Sequence, residues 1–124
     1  MSWFLSVGIF DAVQRAAIAA LTGPADHLER QNEVYARRRD LLVGALNDLG
    51  WELKPPLGSF YIWLPTRDGA SSADFCDLLL ERAAVVAAPG VGYGANGEGW
   101  VRFSLTVPDD RLEEAVSRLR KALE

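Results

Sequence analysis

The stretch from Val85 to Val107 constrains this chain more than any other. It reads as an apolar strand, then a loop, then a second strand. Five of the chain's 11 glycines fall between Gly90 and Gly99. Glycine at that density marks backbone that takes positive φ or lets another segment come close. In the second strand Val101, Phe103, Leu105 and Val107 share one face. Trp100, Arg102, Ser104 and Thr106 share the other. Arg102 therefore stands opposite the apolar face, just beyond the loop. Its guanidinium is always charged and offers a planar fork of donors that matches a carboxylate or phosphate. Two readings of Arg102 are open from the residues: a strand arginine paired with a nearby Asp or Glu, or an anion-binding arginine at the lip of a cleft.

A chain of 124 residues can hold one core of its own. The net charge of −4 supplies no basic excess for nucleic acid or an anionic membrane. No apolar run has the length of a membrane span. The start lacks the basic region of a signal peptide. A single cysteine excludes an intramolecular disulfide, and a reducing cytoplasm is the simplest expectation. Trp3, Phe4, Leu5, Val7, Ile9 and Phe10 make an unusually apolar start. That suggests a chain cut from something larger, or a segment that docks on a partner.

Helical spacing of Ile9, Val13, Ala16, Ala17, Ala20 and Leu21 predicts a helix from Gly8 to Leu21, stopped at Thr22-Gly23-Pro24. Asp26 with Glu29 gives a capping-box start for a long second helix, to about Leu49. Leu28, Tyr35, Leu42 and Leu49 form its stripe, flanked by Val34, Leu41, Ala45 and Leu46. Arg37, Arg38 and Arg39 spread round the helix and read mostly as solvated charge, with a phosphate site as the alternative. Trp51 to Lys54 reads as a short strand and Ser59 to Leu64 as another, with Phe60, Ile62 and Leu64 on one face and Tyr61 and Trp63 on the other, the two paired antiparallel across a Pro-Gly turn. Ser71 or Ser72 caps a third helix, Ala73 to Ala84, with Phe75, Leu78, Leu79 and Arg82 inward. Pro108 opens a last helix with Leu112, Ala115, Val116, Leu119 and Leu123 on its apolar face. The order predicts an α/β or α+β sandwich: a short antiparallel or mixed sheet with helices packed on it.

No complete active site is legible from the residues. Lys54 and Lys121, the two lysines, both read as solvated rather than nucleophilic. His27 reads as a surface residue. Cys76 has Asp74 and Asp77 as neighbours, which raise a thiol's pKa and leave it inert. No His or Cys cluster suits a metal. Gly90-x-Gly92-x-Gly94 lacks the following Lys-Ser/Thr and helix of a nucleotide loop.

The order of motifs nevertheless resembles a known family. The blocks are Gly8-Ile9-Phe10-Asp11-Ala12-Val13-Gln14, then Pro56-x-Gly58-x-Phe60-Tyr61-x-Trp63. Next comes Val86-x-x-Pro89-Gly90-x-x-Tyr93-Gly94-x-x-Gly97-x-Gly99-x-x-Arg102-x-Ser104, and then Glu113-Glu114-Ala115-x-x-Arg118-Leu119. They resemble the C-terminal part of class I/II, fold type I aminotransferases, in the branch with diaminopimelate and alanine transaminases. The resemblance implies a C-terminal small domain from residue 25 to 124, with residues 1–24 a remnant of a large domain. It implies that Arg102 grips a substrate's α-carboxylate, with Phe60 beside the site and Gly58 leaving room. It implies pyridoxal 5'-phosphate as cofactor, amino-acid and 2-oxo-acid substrates, and a homodimer, with Trp3 to Ser6 near its interface. The family's cofactor-binding lysine lies upstream of these blocks, so the chain alone is expected to be inactive. A decarboxylase, lyase or synthase of the same fold, or an interaction domain without catalysis, is the alternative.

Overall fold

The structure, a computed structural model, describes residues 8–123. Trp3 to Ser6, placed by the resemblance at a dimer interface, lie outside the described residues. The chain divides into two compact units, Met1–Asn32 and Glu33–Glu124, and the division falls inside one helix.

In the first unit, α1 spans Asp11–Thr22. It buries none of its residues, and Val13, Ile18 and Leu21 are exposed. The amide of Gly23 closes it on the carbonyl of Ala19 at 2.9 Å. The long helix α2, Asp26–Asp48, starts here. The capping box expected from Asp26 and Glu29 is replaced by the carbonyl of Ala25, which accepts from the amides of Leu28 and Glu29. Asp26 instead pairs with Arg30 at 3.6 Å.

The second unit carries the sheet. Its strands are β1 (Tyr61–Pro65), β2 (Ala88–Pro89) and β3 (Trp100–Ser104), in the order β1-β3-β2, all antiparallel. Tyr61 faces Ser104 and Trp63 faces Arg102 across the central pair. The amides of Leu105 and Thr66 extend the ladder to the carbonyls of Phe60 and Gly99. Ile62, Leu64, Val101, Phe103 and Leu105 are buried, as strand alternation predicts. Each such side chain contributes about 1.5–3 kcal/mol of burial free energy. Phe60 and Val107 do not join them; Phe60 precedes β1, Val107 lies beyond β3, and both are exposed.

The core is completed by Leu42, Val43, Ala45 and Leu46 of α2, by α3 (Ser72–Ala83) and by α4 (Asp109–Leu123). Only the second half of the α2 stripe is buried; Leu28 and Leu41 are exposed, and Val43 is buried in their stead. Ser71 caps α3 by accepting the amide of Asp74 at 3.1 Å. On α3, Ala83 takes the inward place expected of Arg82, which is exposed. Leu112, Val116 and Leu119 form the buried face of α4.

Two expected strands do not form as read. Trp51 to Lys54 is not a strand, and the partner of β1 is β3. The side chain of Asn47 occupies both backbone groups of Leu53, accepting its N–H at 2.8 Å and donating to its carbonyl at 3.0 Å. The Leu53 N–H is thus unavailable to a strand partner. The strand expected from Val85 shrinks to Ala88–Pro89, and Val86 is 80% exposed. Pro89 has no N–H to continue a ladder, and the chain turns into a 3-10 turn at once.

The three consecutive arginines are not mainly solvated charge. Arg38, with its side chain 16% exposed, donates to Asp109 at 2.5 Å and to the Leu105 carbonyl at 3.0 Å. Arg37 reaches Asp109 at 3.2 Å, and Arg39 binds Asp40 and the Pro56 carbonyl. They join α2 to the first turn of α4 and to the segment before β1.

Candidate functional site

The face of the sheet away from the core carries Tyr61, Trp63 and Arg102 on adjacent strands. Arg102 is half-buried. Its guanidinium carbon lies 3.8 Å from the ring centroid of Tyr61 and 4.4 Å from that of Tyr93. Trp63 meets the Tyr93 ring edge-on at 5.4 Å. Among the described residues, Arg102 makes no ion pair and no side-chain hydrogen bond. The pairing with a nearby Asp or Glu is therefore not what holds it. Ring faces attract the cation. They leave the guanidinium's five N–H donors available for an incoming anion.

Phe60 joins the cluster indirectly. Its ring lies 4.5 Å from that of Tyr61, which in turn carries Arg102, and 5.7 Å from that of Tyr35. Gly58 stays outside it, in the exposed segment before β1, with open space where a Cβ would point. A shallow, solvent-open hollow of about 370 Å³ lies beside the Trp63–Tyr93 pair, lined by Trp63, Tyr93, Asn96, Gly97 and Trp100.

The Gly-rich loop that delivers Tyr93 folds as two 3-10 turns, Gly90–Tyr93 and Ala95–Gly97. Both sequence expectations for its glycines occur. Gly94 and Gly99 have positive φ, at 115° and 77°. Gly90 and Gly97 instead let two backbone segments touch. The loop is pinned by a carboxylate. Glu98 accepts the Ser72 amide at 2.7 Å and the Ser72 hydroxyl at 2.9 Å, and that hydroxyl accepts the amide of Val91 at 3.3 Å. These bonds, first from the Ser72 backbone and then from its hydroxyl, hold the Glu98 carboxyl below its ordinary value. Tyr61 and Tyr93 belong to the motif blocks, but no local signal marks either as a neighbour of Arg102. Glu98 and Ser72 are 26 residues apart, and no spacing rule links them.

The other candidates stay apart from this cluster. Lys54 and Lys121 are exposed. His27 is exposed, its ring Nδ1 2.9 Å from the Pro24 carbonyl. The Cys76 thiol is pushed up chiefly by burial, with the charge of Asp77 second, so the acidic neighbours are the smaller cause. No metal-binding group of His, Cys, Asp and Glu occurs among the described residues. None of the described helices is long and apolar enough to cross a membrane.

Comparison with known proteins converges on one family. Residues 2–119 match the family Aminotransferase class I and II. The LL-diaminopimelate aminotransferase of Desulforudis audaxviator (strain MP104C) is 52% identical over 119 residues, covering 96% of this chain and 30% of that protein. Its counterpart from Moorella thermoacetica is 48% identical over 116 residues, covering 94% and 30%. Among solved structures, substrate-bound BacF from Bacillus subtilis is 38% identical with a TM-score of 0.83, over 93% of this chain and 30% of that one. The L,L-diaminopimelate aminotransferase from Chlamydomonas reinhardtii is 30% identical with a TM-score of 0.82, over 94% and 29%. The chain thus spans about 30% of the length of the curated relatives it matches. Motif order, the three-stranded antiparallel sheet with its helices, and these likenesses agree: the chain belongs to the class I and II aminotransferases, with the fold type I architecture.

Proposed function

We propose that this chain is the C-terminal part of an aminotransferase that moves an amino group from an amino acid to a 2-oxo acid, with Arg102 gripping the substrate's α-carboxylate. The observation that carries this is the state of Arg102. It is half-buried, flanked by two aromatic rings, and unpaired with any carboxylate among the described residues. A cation so placed has given up part of its hydration and found no anion in exchange. A bidentate carboxylate would supply one and fix its own orientation as well. Phe60 would border the bound substrate through Tyr61, and Gly58 would leave the approach open.

The family uses pyridoxal phosphate, which supplies the electron sink for the reaction. The described residues do not fit that group by themselves. It needs a lysine amine in a cleft, and Lys54 and Lys121 are both exposed and absent from the hollow beside Trp63 and Tyr93. No step is therefore derived through it. We assign the lysine to sequence that this chain does not contain, and expect the chain alone to be inactive. A homodimer and a cytoplasmic location belong to the same proposal.

The test is kinetic. In an enzyme of full family length carrying this segment, Arg102→Lys should raise KM for the amino acid and lower kcat together, since a point charge cannot reproduce the fork. Unchanged constants would remove Arg102 from the site. The relatives' names make LL-diaminopimelate the first amino donor to assay. Product formation without consumption of a 2-oxo acid would favour a decarboxylase or lyase instead.

A further inference from the structure

We propose that Glu98 is a positioning residue for Arg102, acting through Ser72 and the Gly-rich loop to hold the Tyr93 ring against the guanidinium. The proposal rests on the reading of Arg102 as the carboxylate grip. One serine anchors both ends of the loop. Its hydroxyl accepts the amide of Val91 near the loop's start, and the carboxylate of Glu98, near its end, accepts that same hydroxyl and the serine's amide. Ser72 is fully buried, in the first turn of α3, where helix amides favour a negative charge. The close approach of Gly90 and Gly97 shuts the neck of the loop between these anchors. Tyr93 lies on the enclosed span, and the amide of Gly94 folds back to the carbonyl of Val91 at 3.1 Å. The loop is thus a closed unit that presents Tyr93 to Arg102 at 4.4 Å and to Trp63 at 5.4 Å. An arginine flanked by two rings is already ordered before a carboxylate arrives. With one ring released, binding must also freeze the side chain.

Ring currents provide the readout in the chain as it stands. Protons over an aromatic face resonate upfield, so the side-chain N–H and CδH2 signals of Arg102 report both tyrosines. Tyr93→Leu removes one ring and sets the scale. Glu98→Gln should carry the Arg102 signals most of the way to the Tyr93→Leu values, while the methyl signals of Leu64 and Val101 stay in place. Glu98→Asp, which keeps the carboxylate, should recover part of the shift. Arg102 signals unchanged in a folded Glu98→Gln chain would overturn the proposal. Should that variant not fold, Ser72→Ala removes the hydroxyl relay alone. A shift there supports the proposal, and none overturns it.

The full-length enzyme separates positioning from general damage. Positioning predicts KM for the amino acid raised about tenfold by Glu98→Gln, with kcat held within about threefold. A fall in apparent kcat at unchanged KM is the mark of lost active protein and would overturn the role. If Arg102→Lys leaves KM unchanged in that enzyme, the carboxylate reading fails, while the ring-current comparison still decides what Glu98 holds.

Discussion

Gly90 and Gly97 approach so closely that a Cβ on Gly90 would sit 2.0 Å from the carbonyl oxygen of Gly97, and one on Gly97 would sit 2.0 Å from the carbonyl oxygen of Gly90. Both obstacles are backbone, so no rotamer change relieves them. Gly97→Ala should cost about 3 kcal/mol through forced separation of the two segments. Gly92 offers the control: it lies in the same loop with open space around its Cβ position. Gly92→Ala should change stability by less than about 0.5 kcal/mol. Urea unfolding of the two variants checks both. Equal stabilities would mean that the neck of the loop is not closed.

Ala84 ends α3 in the left-handed region, at φ 51° and ψ 39°, with its amide bonded back to the carbonyls of Leu79 and Leu80. The hydrogen bonds are those of a glycine cap, but the residue has a Cβ. Ala84→Gly should therefore raise stability by about 1 kcal/mol, because the steric cost removed exceeds the entropy glycine adds to the unfolded chain. A lower melting temperature for the variant would contradict this.

The sequence made some of this architecture legible and hid the rest. The four helices came out within about three residues of their ends, because apolar spacing at 3.6 and Gly or Pro stops are local signals. Burial of Ile62, Leu64, Val101 and Phe103 followed from alternation, but Phe60, in step with Ile62 and Leu64, lies before β1 and is exposed. The partner of β1 did not, because pairing is non-local: Trp51 to Lys54 has strand composition, yet a side-chain amide of the preceding helix bonds Leu53. The contacts of the arginine run are hidden for a similar reason. Its partner, Asp109, lies 71 residues beyond Arg38. At the site, Arg102 stood out through its place in an alternating strand. The rings beside it and the carboxylate behind the loop are set by tertiary contacts that no spacing encodes.

Asn47 supplies a direct test of that misread strand. Its side chain both accepts from and donates to the backbone of Leu53. Asn47→Ala should destabilise the chain by about 1 kcal/mol, since these groups are reached by solvent once freed. Asn47→Asp keeps the acceptor, loses the donor and sets a carboxylate against the Leu53 carbonyl. Hydrogen exchange at the Leu53 amide should quicken in Asn47→Ala and less so in Asn47→Asp. Equal exchange in all three proteins would show that the amide is protected by something else.

Asp40, Glu98 and Asp109 are all held below their ordinary values, and acid should weaken the chain chiefly through the two that tie distant segments together, Glu98 and Asp109. Asp109 is held below its ordinary 3.8 by hydrogen bonds from Arg38 first and Arg37 second. Glu98 is held below its ordinary 4.5 by the amide and hydroxyl of Ser72. A carboxyl depressed on folding binds fewer protons in the native state than in the unfolded one, so stability rises with pH across that interval. Its contribution is complete above the ordinary value and disappears as pH falls through the lower, folded one. Urea midpoints should hold level from about pH 7 down to about pH 5 with respect to these two groups and then fall steadily with further acid. Glu98→Gln should begin less stable at neutral pH and lose part of that acid slope, since its side chain no longer titrates. Asp109→Asn should also flatten it. A slope unchanged in both variants would assign the acid sensitivity to other groups and deny these two contacts their charge.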